Sequence, residues 1–249
     1  MAFHIAMAGK GGTGKTTLAG ILIRYLISRN RKPILAVDAD SNANLNEVLG
    51  VPLAETVGEA REDMKRGQVP SGMTKDLFLE MKLGQAVVEA GDFDLIAMGR
   101  PEGPGCYCAA NAILVTCLEK LVANYPWVVM DNEAGMEHIS RLTTKNVDAL
   151  LIVSDSSRRG LEAALRIARL ARELNIGVGE SHLIVNRAQE PPAEDVLRPL
   201  REAGLRFAGT VPEDRRITES DARGRPIFDL PEDAPSLRAA YAMFERLFP

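Results

Sequence analysis

The chain lacks the features that mark secreted, membrane-spanning and nucleic-acid-binding proteins. Only three of its 249 residues are cysteine, an odd and low count that argues against a disulfide framework. No apolar run reaches the roughly 18 residues of a membrane-spanning helix, and the stretch Phe3–Ala8 is too short for a signal peptide. Basic residues do not exceed acidic ones, 30 against 34, whereas general nucleic-acid binders carry a basic excess. These absences predict a cytoplasmic protein that binds neither nucleic acid nor membrane.

Short apolar runs alternate with amphipathic stretches along most of the chain. The predicted strands are Phe3–Ala8, Pro33–Val37, Phe93–Met98, Trp127–Met130, Ala149–Val153, His182–Val185 and Phe207–Val211. The predicted helices are Thr16–Ser28, Asn111–Val122, Leu161–Leu174 and Glu194–Glu202. This alternation predicts a doubly wound α/β fold with a mostly parallel sheet, covered by helices on both faces. Without repeats or long linkers, residues 1–249 are expected to form a single domain, in which the more polar 55–91 adds helices at a sheet edge.

The strongest motif follows the first predicted strand and begins the first predicted helix. It runs Gly9-Lys10-Gly11-Gly12-Thr13-Gly14-Lys15-Thr16-Thr17 and contains G-x-x-x-x-G-K-T, the phosphate loop of nucleotide-binding proteins. Its glycines let backbone N–H groups converge on phosphates, and the helix N-terminus adds its positive end. In such loops the lysine, here Lys15, reaches the β- and γ-phosphates, and the hydroxyl, here Thr16, binds Mg²⁺. All nine residues of the motif are therefore candidate nucleotide-binding residues.

Lys10 distinguishes this loop, because most phosphate loops have no basic residue directly after the first glycine. The pattern K-G-G-x-G-K-[ST] resembles the deviant Walker A class of P-loop ATPases, which includes the nitrogenase iron protein, the MinD and ParA positioning ATPases and metal-insertion ATPases. The resemblance implies an ATP-hydrolysing homodimer in which Lys10 reaches the phosphates of the partner. A cation supplied in this way stabilises charge on the transferring phosphoryl group. The alternative interpretation of Lys10, taken alone, is a solvated loop cation.

Two later segments resemble the switches of that class. Val37-Asp38-Ala39-Asp40 matches the first switch, which implies that Asp40 orients the attacking water and senses Mg²⁺; Asn44 falls where that switch makes Mg²⁺-linked or cross-subunit contacts. Trp127-Val-Val-Met-Asp131 matches the second switch, in which Asp131 would hold a Mg²⁺-bound water and the backbone near Gly135 would sense the γ-phosphate. The catalytic candidates are Lys10, Lys15 and Asp40, and the Mg²⁺ candidates are Thr16, Asp40 and Asp131. Without the resemblance, an Asp at a strand end is a commonplace cap or turn residue.

Two further strand ends carry the candidate base-binding residues. Asn186 follows Val185 at the end of one predicted strand, and Pro212 and Glu213 follow Val211 at the end of the next. The amide of an asparagine can pair with an adenine edge, and the resemblance implies that these two turns hold the adenine of ATP. Without the resemblance, Asn186-Arg187 and Pro212-Glu213 would be interpreted as ordinary loop residues.

Two of the three cysteines, Cys106 and Cys108, are separated only by Tyr107, directly before a predicted helix. A helix N-terminus lowers the pKa of a thiol and favours the thiolate that binds metal. Zn²⁺ commonly takes four tetrahedral ligands, and Ni²⁺ can take four in a square plane. The two cysteines of one chain therefore supply only half of such a ligand set. A two-fold dimer would supply the missing pair. The alternative is two small apolar residues at a helix start, and Cys117 is expected to lie in the core.

The cysteine segment and the second switch look most like the CooC-type branch, nickel-insertion ATPases that mature carbon monoxide dehydrogenase, with a close relative that serves acetyl-CoA synthase. The resemblance implies a metallochaperone that carries Ni²⁺, or Zn²⁺ at the same site, to one of these clients. Two alternatives stay open. One is a positioning ATPase like MinD or ParA. The other is ATP-gated electron transfer through a bridging iron–sulfur cluster, which is disfavoured because His138 stands where the nitrogenase iron protein has a cluster-ligating cysteine.

Overall fold

The computed structural model of the chain describes residues 2–53, 55–99, 119–132, 146–173 and 177–249. Most of the predicted helix Asn111–Val122 lies outside these residues, and the part within them, 119–122, is helical.

In the described part of the chain, eight strands form one sheet in the order β3-β4-β2-β5-β1-β6-β7-β8. The strands are β1 (Phe3–Gly9), β2 (Ile34–Asp38), β3 (Val88–Glu89), β4 (Phe93–Ala97), β5 (Trp127–Asp131), β6 (Asn146–Ser154), β7 (Gly177–Asn186) and β8 (Leu205–Val211). Every neighbouring pair is parallel except β3 with β4. The predicted mostly parallel α/β sheet is therefore confirmed. All seven predicted strands are present. Strand β2 begins one residue later than predicted and therefore excludes Pro33, and β6 and β7 extend beyond the predicted ranges Ala149–Val153 and His182–Val185.

Helices cover both faces of this sheet. They are α1 (Lys15–Ser28), α2 (Leu45–Leu49), α3 (Val57–Lys65), α4 (Lys75–Ala86), α5 (Arg158–Glu173), α6 (Glu194–Glu202), α7 (Arg215–Asp221) and α8 (Pro235–Leu247). The alternation of β1 shows how the two layers arise. Ile5 and Met7 pack into a core with α1, α2 and α8, whereas Ala6 and Ala8 pack into a second core with α3 to α6.

The polar segment 55–91 forms α3, α4 and the short edge strand β3, so the expected helices at a sheet edge are present. Thr56 starts α3 with a capping box, in which its side chain accepts the N–H of Glu59 and the Glu59 carboxylate accepts the N–H of Thr56. The pattern of apolar residues does not predict β3, because it has only two residues and neither is buried.

The parallel strands bring distant sequence segments to one edge of the sheet. Asp131 at the end of β5 lies opposite Asp38 of β2 on one side and Met7 of β1 on the other. Gly9 at the end of β1 lies opposite Val153 of β6. The carboxyl edge of such sheets is where α/β proteins bind ligands, and here it collects the phosphate loop and both predicted switches.

Helix α8 is an integral part of the core. Its buried residues include Leu237, Met243 and Phe244, which share a core cluster with α1. At its C-terminal end, the Tyr25 hydroxyl donates to the Glu245 carboxylate over 3.1 Å. Within the described ranges, no helix combines the length and apolar character that crossing a membrane requires.

Replacing Phe244 tests whether α8 stabilises the fold. Phe244 is fully buried, so Phe244→Ala is expected to lower the free energy of unfolding by about 3–5 kcal/mol, through lost burial and the cavity left behind. Chemical denaturation followed by circular dichroism measures it. Arg238→Ala, at an exposed position of the same helix, is the matched control and should change stability by no more than about 0.5 kcal/mol. Equal effects of the two variants would contradict a structural role for the buried face.

Candidate nucleotide site

The phosphate loop joins the end of β1 to the start of α1 by way of two glycines that no other residue could replace without strain. Gly9 has φ +149°, and a Cβ there would lie 2.2 Å from the carbonyl oxygen of Val153. Gly14 caps α1 in the left-handed conformation with φ 89°, which glycine adopts at no steric cost. Together they wrap the loop around the positive end of α1.

Lys15 lies in the first turn of α1 and is 8% exposed. Its Nζ donates to the carbonyl oxygen of Lys10 over 3.4 Å, and the Thr13 hydroxyl donates to the same oxygen over 2.9 Å. The Lys15 ammonium is thus held against the backbone of the phosphate loop. The side chain of Lys10 itself is exposed at the surface.

Asp131 supplies a buried carboxylate beside this loop. It is 1% exposed, and burial raises its pKa to about 7. The negative charge of nearby Asp38 also raises this pKa, whereas a hydrogen bond from the Thr16 hydroxyl lowers it. Lys15 and Asp40 also interact electrostatically with it. The structure therefore brings together Lys15, Thr16, Asp40 and Asp131, which come from three separate segments of the sequence.

These residues fit the Mg²⁺ that a phosphate loop uses. The Oδ1 atom of Asp131 is buried and has no hydrogen-bond partner among the described residues. An unpaired buried oxygen costs free energy, and a hard cation that prefers oxygen ligands would compensate it. The Thr16 hydroxyl and the Asp40 carboxylate are the further oxygen donors at this edge.

Asp40 lies in the turn after β2 rather than at the end of the strand, because β2 ends at Asp38. It is half-buried, and its Oδ1 accepts the N–H of Asn42 over 2.8 Å and the Nδ2 of Asn42 over 3.1 Å. Asn44 precedes the first residue of α2 and is exposed.

A cavity of about 290 Å³ lies next to the phosphate loop, between α1, α7 and the ends of β7 and β8. Its lining includes all three predicted base-binding residues, Asn186, Pro212 and Glu213, together with Gly14 and Thr17 of the loop. The volume is close to the lower end of ligand pockets, roughly 300–1,000 Å³. A cavity of about 360 Å³ at the other end of β7 is lined by none of the predicted site residues.

Asn186 does more than line this cavity. Its Nδ2 donates to the carbonyl oxygen of Thr13 over 2.8 Å, and Nη1 of the neighbouring Arg187 donates to the carbonyl oxygen of Gly12 over 3.3 Å. The last residue of β7 and the residue that follows it therefore hold two successive carbonyls of the phosphate loop. This contact uses one of the two N–H groups on Nδ2, so the second N–H and the Oδ1 acceptor remain to pair with a base.

Three residues that the motifs did not single out belong to the site: Asp38, Arg187 and Asp214. Asp38 is 1% exposed, and burial raises its pKa to about 6. The backbone N–H groups that donate to its carboxylate lower this pKa in part. Asp214 caps α7 by accepting the N–H of Arg216, and it also accepts the hydroxyl of Ser236 over 2.8 Å. The D-x-D spacing and the Asp directly before a helix are signals that could have found the two carboxylates.

The predicted metal ligands Cys106 and Cys108 lie outside the described residues, as do Gly135, Cys117 and His138. Among the residues that the structure describes, no group of three or more His, Cys, Asp and Glu side chains has a metal-binding arrangement. The cysteine site therefore stays a prediction from the sequence.

The sequence profile of the CobQ/CobB/MinD/ParA nucleotide binding domain matches residues 4–227. A protein of Methanocaldococcus jannaschii described as an uncharacterized ATP-binding protein is 42% identical, over 92% of each chain. The carbon monoxide dehydrogenase accessory protein CooC of Rhodospirillum rubrum is 31% identical, over 98% of this chain and 97% of its own.

Solved structures share the fold. The septum site-determining protein MinD of Pyrococcus horikoshii, complexed with Mg-ADP, superposes with a TM-score of 0.73 at 19% identity, over 100% of this chain and 96% of its own. The MinD cell division protein of Aquifex aeolicus has a TM-score of 0.71 at 23% identity, over 99% and 96%. At such identities the likeness concerns the arrangement of helices and strands alone.

The raised pKa of Asp131 predicts how stability depends on pH without nucleotide and Mg²⁺. Between the unfolded pKa of 3.8 and about 7, the folded state holds a proton that the unfolded state has lost. The contribution of Asp131 to stability therefore decreases as pH rises through that window. Asp131→Asn removes this dependence and is expected to stabilise the nucleotide-free protein more at pH 8 than at pH 5, by an amount on the order of 1–3 kcal/mol.

Urea unfolding of the wild type and Asp131→Asn at the two pH values, in chelator, measures the difference. Asp195→Asn, at an exposed carboxylate in the first turn of α6, controls for the loss of a negative charge. A stability difference between Asp131→Asn and wild type that stays the same at pH 5 and pH 8 would show that the Asp131 pKa is not raised.

Proposed function

The chain belongs to the CobQ/CobB/MinD/ParA family of ATP-binding P-loop NTPases, which generally hydrolyse ATP, and we propose that it is an ATP-dependent nickel metallochaperone. In this proposal a homodimer binds Ni²⁺ through Cys106 and Cys108 and delivers it to carbon monoxide dehydrogenase or to the related acetyl-CoA synthase. The observation that carries the proposal is the 31% identity to CooC over nearly the full length of both chains. The Cys-x-Cys pair supplies the ligands that such a cargo requires.

The residues of the nucleotide site would act by positioning and by charge. Backbone N–H groups of residues 9–14 and the start of α1 would bind the phosphates of ATP, with Lys15 beside the β- and γ-phosphates. Thr16, Asp40 and Asp131 would hold Mg²⁺, which supplies positive charge against the phosphoryl oxygens when bound. Asp40 would orient the attacking water, and hydrolysis through positioning and charge stabilisation needs no covalent intermediate.

Lys10 and the cysteine pair both favour a two-fold dimer. An exposed Lys10 at the mouth of the phosphate loop is available to the phosphates of a facing copy, and two thiolates per chain make a four-ligand set only when two chains meet. ATP would favour the closed dimer only if the closed state binds it more tightly than the open state. Hydrolysis would then relax the switches and release Ni²⁺. A reducing cytoplasm would keep both thiols available as ligands.

A positioning ATPase that acts on a membrane or on DNA is the second candidate, since the fold matches MinD and ParA proteins. Membrane-bound ATPases need an amphipathic helix with a free apolar face, whereas α8 buries its apolar face against the protein. That contact argues against α8 as a membrane anchor. Co-sedimentation with anionic liposomes or with DNA, with and without ATP, separates the two, and ATP-dependent pelleting would favour positioning.

The thiolate site is tested by nickel binding. Equilibrium dialysis of the wild type is expected to give one Ni²⁺ per two chains, because four thiolates complete one site. The double variant Cys106→Ser, Cys108→Ser should lose that ion, whereas Cys117→Ser should retain it. Nickel-dependent activation of client apoenzyme should follow the same order. Unchanged stoichiometry in the double variant would exclude Cys106 and Cys108 as ligands.

The catalytic role of Lys10 is tested by ATP turnover. Lys10→Ala is expected to lower kcat by about 10²-fold or more, the cost of removing one charged donor from a transition state. Lys75→Ala, at an exposed position of α4 remote in sequence from the phosphate loop, is the control and should hydrolyse ATP at the wild-type rate. Wild-type turnover by Lys10→Ala would leave this lysine without a role in hydrolysis.

A further inference from the structure

We infer that Asp38 is a positioning residue that fastens the first switch to the sheet and thereby orients Asp40 beside the phosphate loop. Asp38 is the last residue of β2 and is held on both sides, opposite Ala97 of β4 and Asp131 of β5. Its side chain is 1% exposed. A carboxylate so deeply buried requires partners, and its partners identify its role.

Both oxygens of Asp38 accept backbone N–H groups of the first switch. Oδ1 accepts the N–H of Asp40 over 3.0 Å, and Oδ2 accepts the N–H of Leu45 over 2.8 Å. Leu45 is the first residue of α2 and is completely buried. One side chain therefore fixes the beginning and the end of the segment that contains Asp40.

Between these two points the switch is organised by Asp40 itself. The Asp40 side chain accepts two hydrogen bonds from Asn42, and its carbonyl oxygen accepts the N–H of Ala43 over 3.1 Å. Ala43 has φ 49°, which is unfavourable for a residue with a β-carbon. A turn with such a conformation needs outside support, and the hydrogen bonds of Asp38 supply it.

This inference rests on the proposed role of Asp40, because an oriented Asp40 matters for turnover only if Asp40 acts on the attacking water. A misplacement of about 1 Å can cost about 10²-fold in rate without weakening substrate binding. Loss of the Asp38 oxygens should therefore lower kcat and leave the KM for ATP nearly unchanged, since the phosphate loop is held by other contacts.

Two substitutions remove the oxygens stepwise. Asp38→Asn keeps the shape and one acceptor oxygen, and Asp38→Ala keeps neither. We expect kcat to fall by about 10²-fold in Asp38→Ala and by less in Asp38→Asn, with little change in KM. Asp94→Asn is the matched control. It removes a carboxylate on the adjacent strand β4 that accepts the Tyr125 hydroxyl over 2.6 Å, away from the phosphate loop, and it should keep the wild-type kcat.

Asp40→Ala is measured in parallel. If Asp40→Ala keeps wild-type turnover, the proposed function of Asp40 fails; if it loses turnover while Asp38→Ala does not, only the inference on Asp38 fails. In variants that fold, a rise in KM that parallels the fall in kcat would mean that Asp38 is merely structural. Amide hydrogen exchange of the wild type decides the case even if the variants do not fold: the N–H groups of Asp40 and Leu45 should be protected, and fast exchange of either overturns the inference.

Discussion

Two carboxylates buried side by side, Asp38 and Asp131, are the constraint on which the nucleotide site depends. They lie opposite each other on adjacent parallel strands at the edge where the phosphate loop begins. Burial raises the pKa of both, and Asp131 keeps one oxygen without a hydrogen-bond partner among the described residues. The protein tolerates this cost because each carboxylate has a separate task. Asp38 is satisfied by the backbone of the first switch, while Asp131 accepts the Thr16 hydroxyl and, in the proposed function, would also receive a cation.

The phosphate loop is connected to the rest of the protein by hydrogen bonds from far along the chain. Asn186 and Arg187 hold the carbonyls of Thr13 and Gly12, so residues that line the cavity also hold the phosphate loop in place. Asp214 links the other base turn to the start of α8 through Ser236. Helix α8 in turn packs against α1, which begins at the phosphate loop. The two turns that line the cavity, the phosphate loop and the last helix are therefore joined in one continuous set of contacts.

The same edge of the sheet explains how an ATPase of this family could control a metal site. In the proposed function, nucleotide binding would act on the two predicted switches, and a change in these segments would alter the surface that a second copy meets. The two proposed thiolates per chain would give an incomplete site in one molecule and a closed set in two. Coupling ATP to dimer closure would make metal affinity depend on the nucleotide, which is what delivery to a client requires.

The sequence by itself determined the α/β sheet, its seven main strands and the phosphate loop, because period, length and the G-x-x-x-x-G-K-T spacing are local properties of the chain. It also supplied Asn186, Pro212 and Glu213 as base-binding candidates, which the fold places around one cavity. The sequence did not predict β3, because two residues are too few to show an alternation of apolar and polar side chains. It also did not predict that α8 packs into the core. Only the tertiary structure revealed that Asp38 holds Asp40 and Leu45 and that Asn186 holds Thr13. Those contacts join residues on different elements, and their strength depends on burial, which no local pattern encodes.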